Sequence, residues 1–256
     1  MEFKINDYVL IKDDDKVYQI DKIICDIVYL KGLTYRLITT AHLDDLRPAP
    51  KDLVEGVIKK EELTLNQFKK ATHFRNAHQF IYGTILHIDG DQEYLNSCMD
   101  LYKEMNIFAN GIYLEESKIK DKIEELILKL TPDIVVITGH DLYNGKGKKD
   151  LLNYRNTKHF MDAVRVIRKH FNQESLPVIV GACGSNFEAL IASGANFSSS
   201  PKRLNIHTYD PAVIAIKIAT TSINQQVDFE QVVQYIENKK DAFGGIETKG
   251  KMKVLL

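Results

Sequence analysis

Cysteine is scarce in this chain: three in 256 residues, an odd number. A disulfide-stapled scaffold is thereby excluded, and a reducing compartment is expected. Charge of one sign is also missing, since Lys and Arg number 34 against 35 Asp and Glu, a formal net charge of -1. Neutralising a phosphate backbone needs a basic surplus on at least one face, which excludes a general nucleic-acid binder. Long hydrophobic runs are lacking too. The longest, such as Ile134-Val135-Val136-Ile137, stop far short of the roughly 20 residues of a bilayer span. The first residues, MEFKINDYVLIK, contain no signal-peptide h-region. A soluble protein of cytoplasmic type is expected.

What is present reads as globular: 44% apolar and 27% charged residues exclude a disordered tail, a collagen-like chain and a coiled-coil rod. The length allows one large domain or two small ones. Asp7–Ile11, Val17–Ile20, Ile27–Leu30 and Tyr35–Ile38 are short, β-branched and aromatic, with Asp13-Asp14-Asp15 and Gly32 as turn-formers between them. Strands at this spacing predict an SH3-like β-barrel over residues 1–50. Pro48 and Pro50 end that pattern, and residues 51–80 read as a polar linker helix. Residues 81–256 form the third region. Apolar strands at Thr84–Asp89, Ile107–Leu114, Asp133–Thr138 and Val178–Val180 alternate with helices at Gln92–Met105, Ser117–Leu130, Asn153–Phe171 and Asn186–Ser193. Further helices are expected at Ala212–Thr220 and Phe229–Glu237. Such alternation predicts a largely parallel α/β sheet flanked by helices.

Ligands of open parallel sheets bind beyond the carboxyl ends of the strands. The residues there are Asp89-Gly90-Asp91, Gly139-His140-Asp141 and Gly181-Ala182-Cys183-Gly184. Cys183 sits on a strand-to-helix turn, where a helix N-terminus favours the thiolate, and is the candidate nucleophile. His140 is its candidate partner and His207 the competitor. Cys25 and Cys98 read as space-filling, Ser185 as a helix cap, and the other histidines lack such a context. No His, Cys, Asp and Glu pairs show zinc-ligand spacing, so neither metal nor cofactor is expected. The run Asn144–Lys149 lacks the ending of a phosphate loop and reads as a mobile surface loop beside the rim.

A hydrophobic strand ending at histidine, followed by one ending in Ala-Cys, resembles the motif pair of caspase-like (clan CD) cysteine peptidases. Cys183 lies 43 residues after His140, near the roughly 50 of caspases. Gly181 in place of glutamine, and glycine before rather than after His140, exclude a caspase proper. The stretches LHIDGDQEYLNSCMDLYKE, PDIVVITGHDLYN, YRNTKHF, GACGSNFEALIASGANFSSSPKRLNIHTYDP and GGIETKG resemble the YabG sporulation-specific protease family of endospore-forming bacteria.

That resemblance implies a cysteine protease with His140 and Cys183 at its catalytic positions. It would act in the mother-cell cytoplasm, at the forming spore coat, on spore-coat and spore-morphogenesis proteins. Cleavage would follow basic residues, chiefly arginine, with no nucleic-acid or membrane partner. In caspase-like peptidases of that preference, the loop after the first sheet strand can supply an acid for the guanidinium. Asp89 is then the first choice, Asp91 the second and Asp141 the third. Two rivals stay open: an amidotransferase-like hydrolase pairing Cys183 with His207, and a non-enzymatic binding scaffold with Asp89 and Asp91 as a vestigial acidic pocket.

Overall fold

A computed structural model describes residues 3–72 and 80–255, and the chain divides into two units, Met1–Phe68 and Lys69–Leu256. In the first unit the β-branched runs form β1 (Tyr8–Ile11), β2 (Val17–Ile24), β3 (Ile27–Gly32), β4 (Ile38–His42) and β5 (Leu46–Pro48). They pair antiparallel in the order β4-β3-β2-β1-β5, so β4 and β5 are the edges. Where a barrel was expected, the described residues form this five-stranded antiparallel sheet, with no pairing between β4 and β5. Alternation sends Val9, Tyr18, Ile20, Val28 and Leu30 inward to one core, as the two-residue period of a strand requires. The fourth strand lies later than Tyr35–Ile38. The segment before it folds back as a loop, closed by the Gly32 N–H donating to Leu37 O at 2.7 Å. Helix α1 (Lys51–Thr72) follows Pro50, a residue suited to a helix start. Its Val54 packs on Leu10 and Val17. Residues 73–79 of the expected linker, with His73 and His78, lie outside the described residues.

The second unit runs β6 (Phe80–Ile81), β7 (Ile85–Asp89), α2 (Gln92–Glu104), β8 (Ala109–Tyr113), α3 (Glu116–Leu130), β9 (Ile134–Thr138), α4 (Thr157–Arg168) and β10 (Val178–Val180). It continues with α5 (Phe187–Ala192), β11 (Phe197–Ser199), α6 (Asp210–Thr220), α7 (Phe229–Val232), α8 (Lys239–Ala242), β12 (Phe243–Gly245) and β13 (Lys253–Val254). The main sheet has the order β12-β11-β10-β9-β7-β8. All its neighbours are parallel except β12, which is antiparallel to β11. A mixed α/β unit with a mostly parallel sheet is therefore what the chain builds. The strand order reverses between β7 and β9, which makes that junction the topological switch point where such sheets open a crevice.

One sheet face presents Leu86, Ile88, Val135, Ile137, Val178 and Val180 to α3, α4 and α5. Ile119, Ile123 and Ile127 of α3, spaced by four, and Phe160, Val164 and Ile167 of α4 complete that core. Each such side chain contributes about 1.5–3 kcal/mol when buried. On the other face, His87 of β7 bonds Tyr102 of α2, and α6 is buried along nearly its whole length.

Three elements depart from the sequence-based expectations. Helix α4 begins at Thr157 rather than Asn153, because the Asp141 side chain, from the loop after β9, captures the Asn156 N–H and the Thr157 hydroxyl at its start. The helix expected to Glu237 ends at Val232 and passes into a single tight turn, Val233–Tyr235. Strand β11 is made of Phe-Ser-Ser, a composition that signals a turn, yet its serines are wholly buried. Among the described residues no helix is long and apolar enough to cross a membrane.

Candidate active site

The switch point assembles three elements. Beyond β7, Asp91 caps α2: its Oδ1 accepts the N–H groups of Glu93 at 2.9 Å and Tyr94 at 3.1 Å. Two of the orphan donors of a helix start are met in this way. The other oxygen, Oδ2, lies 3.2 Å from Nε2 of His140, which follows β9. A carboxylate only accepts, so Nε2 is assigned the proton and Nδ1 the lone pair. The imidazole is part-exposed and meets the Tyr94 ring edge-on at 5.9 Å. Glu116, at the start of α3, takes the His140 N–H at 2.7 Å. Gly90 and Gly139 make room for it, because a Cβ at either position would collide with the Glu116 carboxylate. Glu116 escaped the sequence reading. The available signal was a glycine just past two neighbouring strands, which marks close approach.

Asp89, the first choice for gripping arginine, is placed elsewhere by the fold. It is 0% exposed. Its Oδ1 accepts Asp91 N–H at 2.9 Å, and its Oδ2 accepts the Thr138 hydroxyl at 2.8 Å. Behind them His87 bonds Thr138 through Nε2 at 2.9 Å and the Tyr102 hydroxyl through Nδ1 at 3.0 Å. The histidine set aside for lack of context thus belongs to a buried polar chain beneath the rim. An incoming guanidinium finds no open oxygen on Asp89. We predict that Asp89→Asn lowers stability by about 1–3 kcal/mol, through mispaired buried groups. Thermal unfolding checks this, and a melting temperature equal to that of the wild type would contradict it.

Cys183 lies beyond β10, next to β9 in the sheet. Gly181 at φ +123° and Gly184 at φ +69° turn the chain around it, backbone states in which L side chains are strained. Cys183 is 3% exposed, and its Sγ accepts the Ile206 N–H at 3.3 Å. The thiol in turn donates to Ile206 O at 3.9 Å. Helix α5 starts only at Phe187, so that N–H, not a helix N-terminus, faces the thiol. The cap of α5 is Asn186, which accepts Ala189 N–H at 3.1 Å. Ser185, the expected cap, instead accepts Ala182 N–H and donates to Asp141, both at 3.0 Å. His207 directly follows Ile206. Its N–H donates to Asp210 Oδ2 at 2.8 Å, and its Nδ1 accepts Tyr209 N–H at 3.4 Å.

The lysine-bearing run is a held loop. Tyr143 stacks on Tyr154 at 4.9 Å, Gly147 N–H donates to the Tyr143 hydroxyl, and Asn186 Nδ2 donates to Lys148 O at 2.8 Å. Cys25 is exposed on the turn after β2 rather than space-filling, whereas Cys98 is buried. Among the described residues no group of three or more His, Cys, Asp or Glu could hold a metal ion.

The model of the family described as YabG peptidase U57 matches residues 5–256. This chain belongs to the YabG peptidase family. The sporulation-specific protease YabG of Bacillus subtilis (strain 168) is 39% identical over 199 residues, which cover 77% of this chain and 67% of that protein. No solved structure matches. The YabG family match takes in the whole rim, from Asp89 through His140 to Cys183.

Proposed function

We propose that this chain is a cysteine endopeptidase of sporulation, with Cys183 as nucleophile and His140 as general acid and base. One observation carries the reading: the Asp91–His140 pair stands at the switch point, beyond β7 and β9, and Cys183 stands beyond the carboxyl end of the adjacent strand β10. Nδ1 of His140 takes the Cys183 thiol proton, the thiolate attacks the scissile carbonyl carbon, and the C–N bond breaks as Nδ1 delivers that proton to the leaving amine. A thioester remains. His140 then takes a proton from water, whose oxygen attacks the thioester and releases the acid and the thiolate. Asp91 keeps Nε2 protonated so that Nδ1 serves the reactants, and the Cys183 N–H steadies the oxyanion.

On this reading the parallel sheet is of caspase-like type and the five-stranded sheet is SH3-like. The substrates are spore-coat and morphogenesis proteins of the mother cell, cut after arginine. The sporulation role and the proteolysis draw support from the Bacillus subtilis relative's name. The arginine preference follows from the family resemblance. A second reading pairs Cys183 with His207, and the contact of Ile206 with the sulfur favours it.

The test is mass spectrometry of an arginine-bearing protein incubated with the full chain. Products ending in arginine are expected. They should disappear after iodoacetamide and persist in EDTA. Inactivation by EDTA that zinc reverses, or cleavage that survives complete alkylation of Cys183, would overturn the cysteine mechanism.

A further inference from the structure

The stretch YRNTKHF takes no part in the chemistry above, yet Asn156 and Thr157 within it converge on the residue after His140. Asp141 is 8% exposed, while Thr157 and Ser185 are fully enclosed. Asp141 Oδ1 accepts the N–H of Asn156 at 2.7 Å and of Leu142 at 2.9 Å. Its Oδ2 accepts the hydroxyls of Thr157 and Ser185. Four neutral donors therefore meet one buried carboxylate, and hydrogen bonds to a charged acceptor are about twice as strong as neutral ones. Around this centre Asn156 Nδ2 donates to His140 O at 2.8 Å, and Thr157 Oγ1 accepts Asn186 N–H at 3.0 Å.

The bridge spans a gap in the sheet. The ladder between β9 and β10 continues as far as Gly181 N–H donating to Ile137 O at 3.0 Å. Past that rung, the His140 loop and the Cys183 turn leave the sheet on separate strands. Asp141 rejoins them through Ser185, whose oxygen holds the Ala182 N–H immediately before the cysteine. Catalytic groups must be held within about 0.5 Å of their working geometry.

We propose that Asp141 is a positioning residue that locks the histidine loop and the cysteine turn into one unit, with Ser185 as the link. The proposal rests on the Cys183–His140 reading. Asp141→Asn should cut kcat by about 100-fold, the scale of a misplacement near 1 Å, and Ser185→Ala by about tenfold, with KM nearly unchanged. A merely structural role would not move a second readout, the rate of Cys183 alkylation near neutral pH divided by the rate at alkaline pH. Access cancels in that ratio, which reports thiolate held by the imidazole, and exposed Cys25 supplies an internal comparison. Asn196→Ala is the control for general loosening. Asn196 anchors the far end of the sheet through Val178 N–H at 3.0 Å and Arg168 at 2.9 Å.

The wild type should show a high ratio, the two variants a ratio like that of Cys25, and the control a lower melting temperature with kcat and ratio intact. If Asp141→Asn does not fold, Ser185→Ala decides alone. A wild-type ratio no higher than that of Cys25 removes the dyad and this inference with it. A high wild-type ratio that both variants keep, together with their kcat, overturns the inference alone. An equal loss in the control does so as well.

Discussion

Exchanging Cys183 for alanine should abolish peptide-bond cleavage, lowering turnover by about 10⁴-fold or more, the scale seen when a covalent nucleophile is removed. The fold should survive. The sulfur accepts the Ile206 N–H and the thiol donates to Ile206 O, and leaving that N–H unmet costs about 1–3 kcal/mol. A loss of that size lowers the melting temperature by only a few degrees per kcal/mol in a chain this long. Cys183→Ser separates packing from chemistry. Its hydroxyl can still accept the Ile206 N–H, so it should melt near the wild type and yet not cleave, because an unactivated hydroxyl is a far weaker nucleophile than a thiolate. Circular dichroism melting and mass spectrometry of products provide the two readouts. Activity of either variant within tenfold of the wild type would sink the nucleophile assignment.

The second large effect separates the two histidines. His140→Ala should be about as inactive as Cys183→Ala, since it removes both the proton donor for the leaving amine and the partner of Asp91. Helix α2 stays capped in that variant, because the cap is Asp91 Oδ1 and His140 faces Oδ2. His207→Ala should keep turnover within about tenfold, well short of the roughly 10²–10⁴-fold that general acid–base catalysis contributes. The bond from His207 to Asp210 uses the backbone N–H and survives the exchange, whereas the Nδ1 contact with Tyr209 N–H and the ring contact with Tyr209 are lost. Steady-state kinetics on a single arginyl peptide compare the two variants directly. Cleavage in His140→Ala, with none in His207→Ala, would transfer the proton chemistry to His207.

The strands legible in advance were those whose apolar side chains face a core on both sides, such as Ile134–Thr138 and Val178–Val180. Burial on both faces leaves a continuous apolar run that no turn or exposed helix tolerates. Helices α2 and α3 were legible from their four-residue spacing, with Asp91 and Pro132 near their limits. Strand β11 escaped notice because its side chains are serines, whose partners come from elsewhere in the fold: Ser199 Oγ donates to Ala182 O at 2.8 Å. The start of α4 was equally hidden, since the residue that captures it, Asp141, lies 15 positions upstream.

By itself the sequence determined the alternation of strands and helices, the family, and the rim residues Asp89, Asp91, His140 and Cys183. Each of these is local information, carried by side-chain period and by short motifs at strand ends. Only the tertiary structure decided which acid does what. Asp89, on the inward side of β7, is consumed by Thr138 and Asp91, whereas Asp91 meets His140 and Asp141 ties the histidine loop to Ser185. Three carboxylates with the same chemistry in the chain differ in role because burial and partners are set by residues up to 49 positions away. One-dimensional order does not record which donors a folded carboxylate will meet.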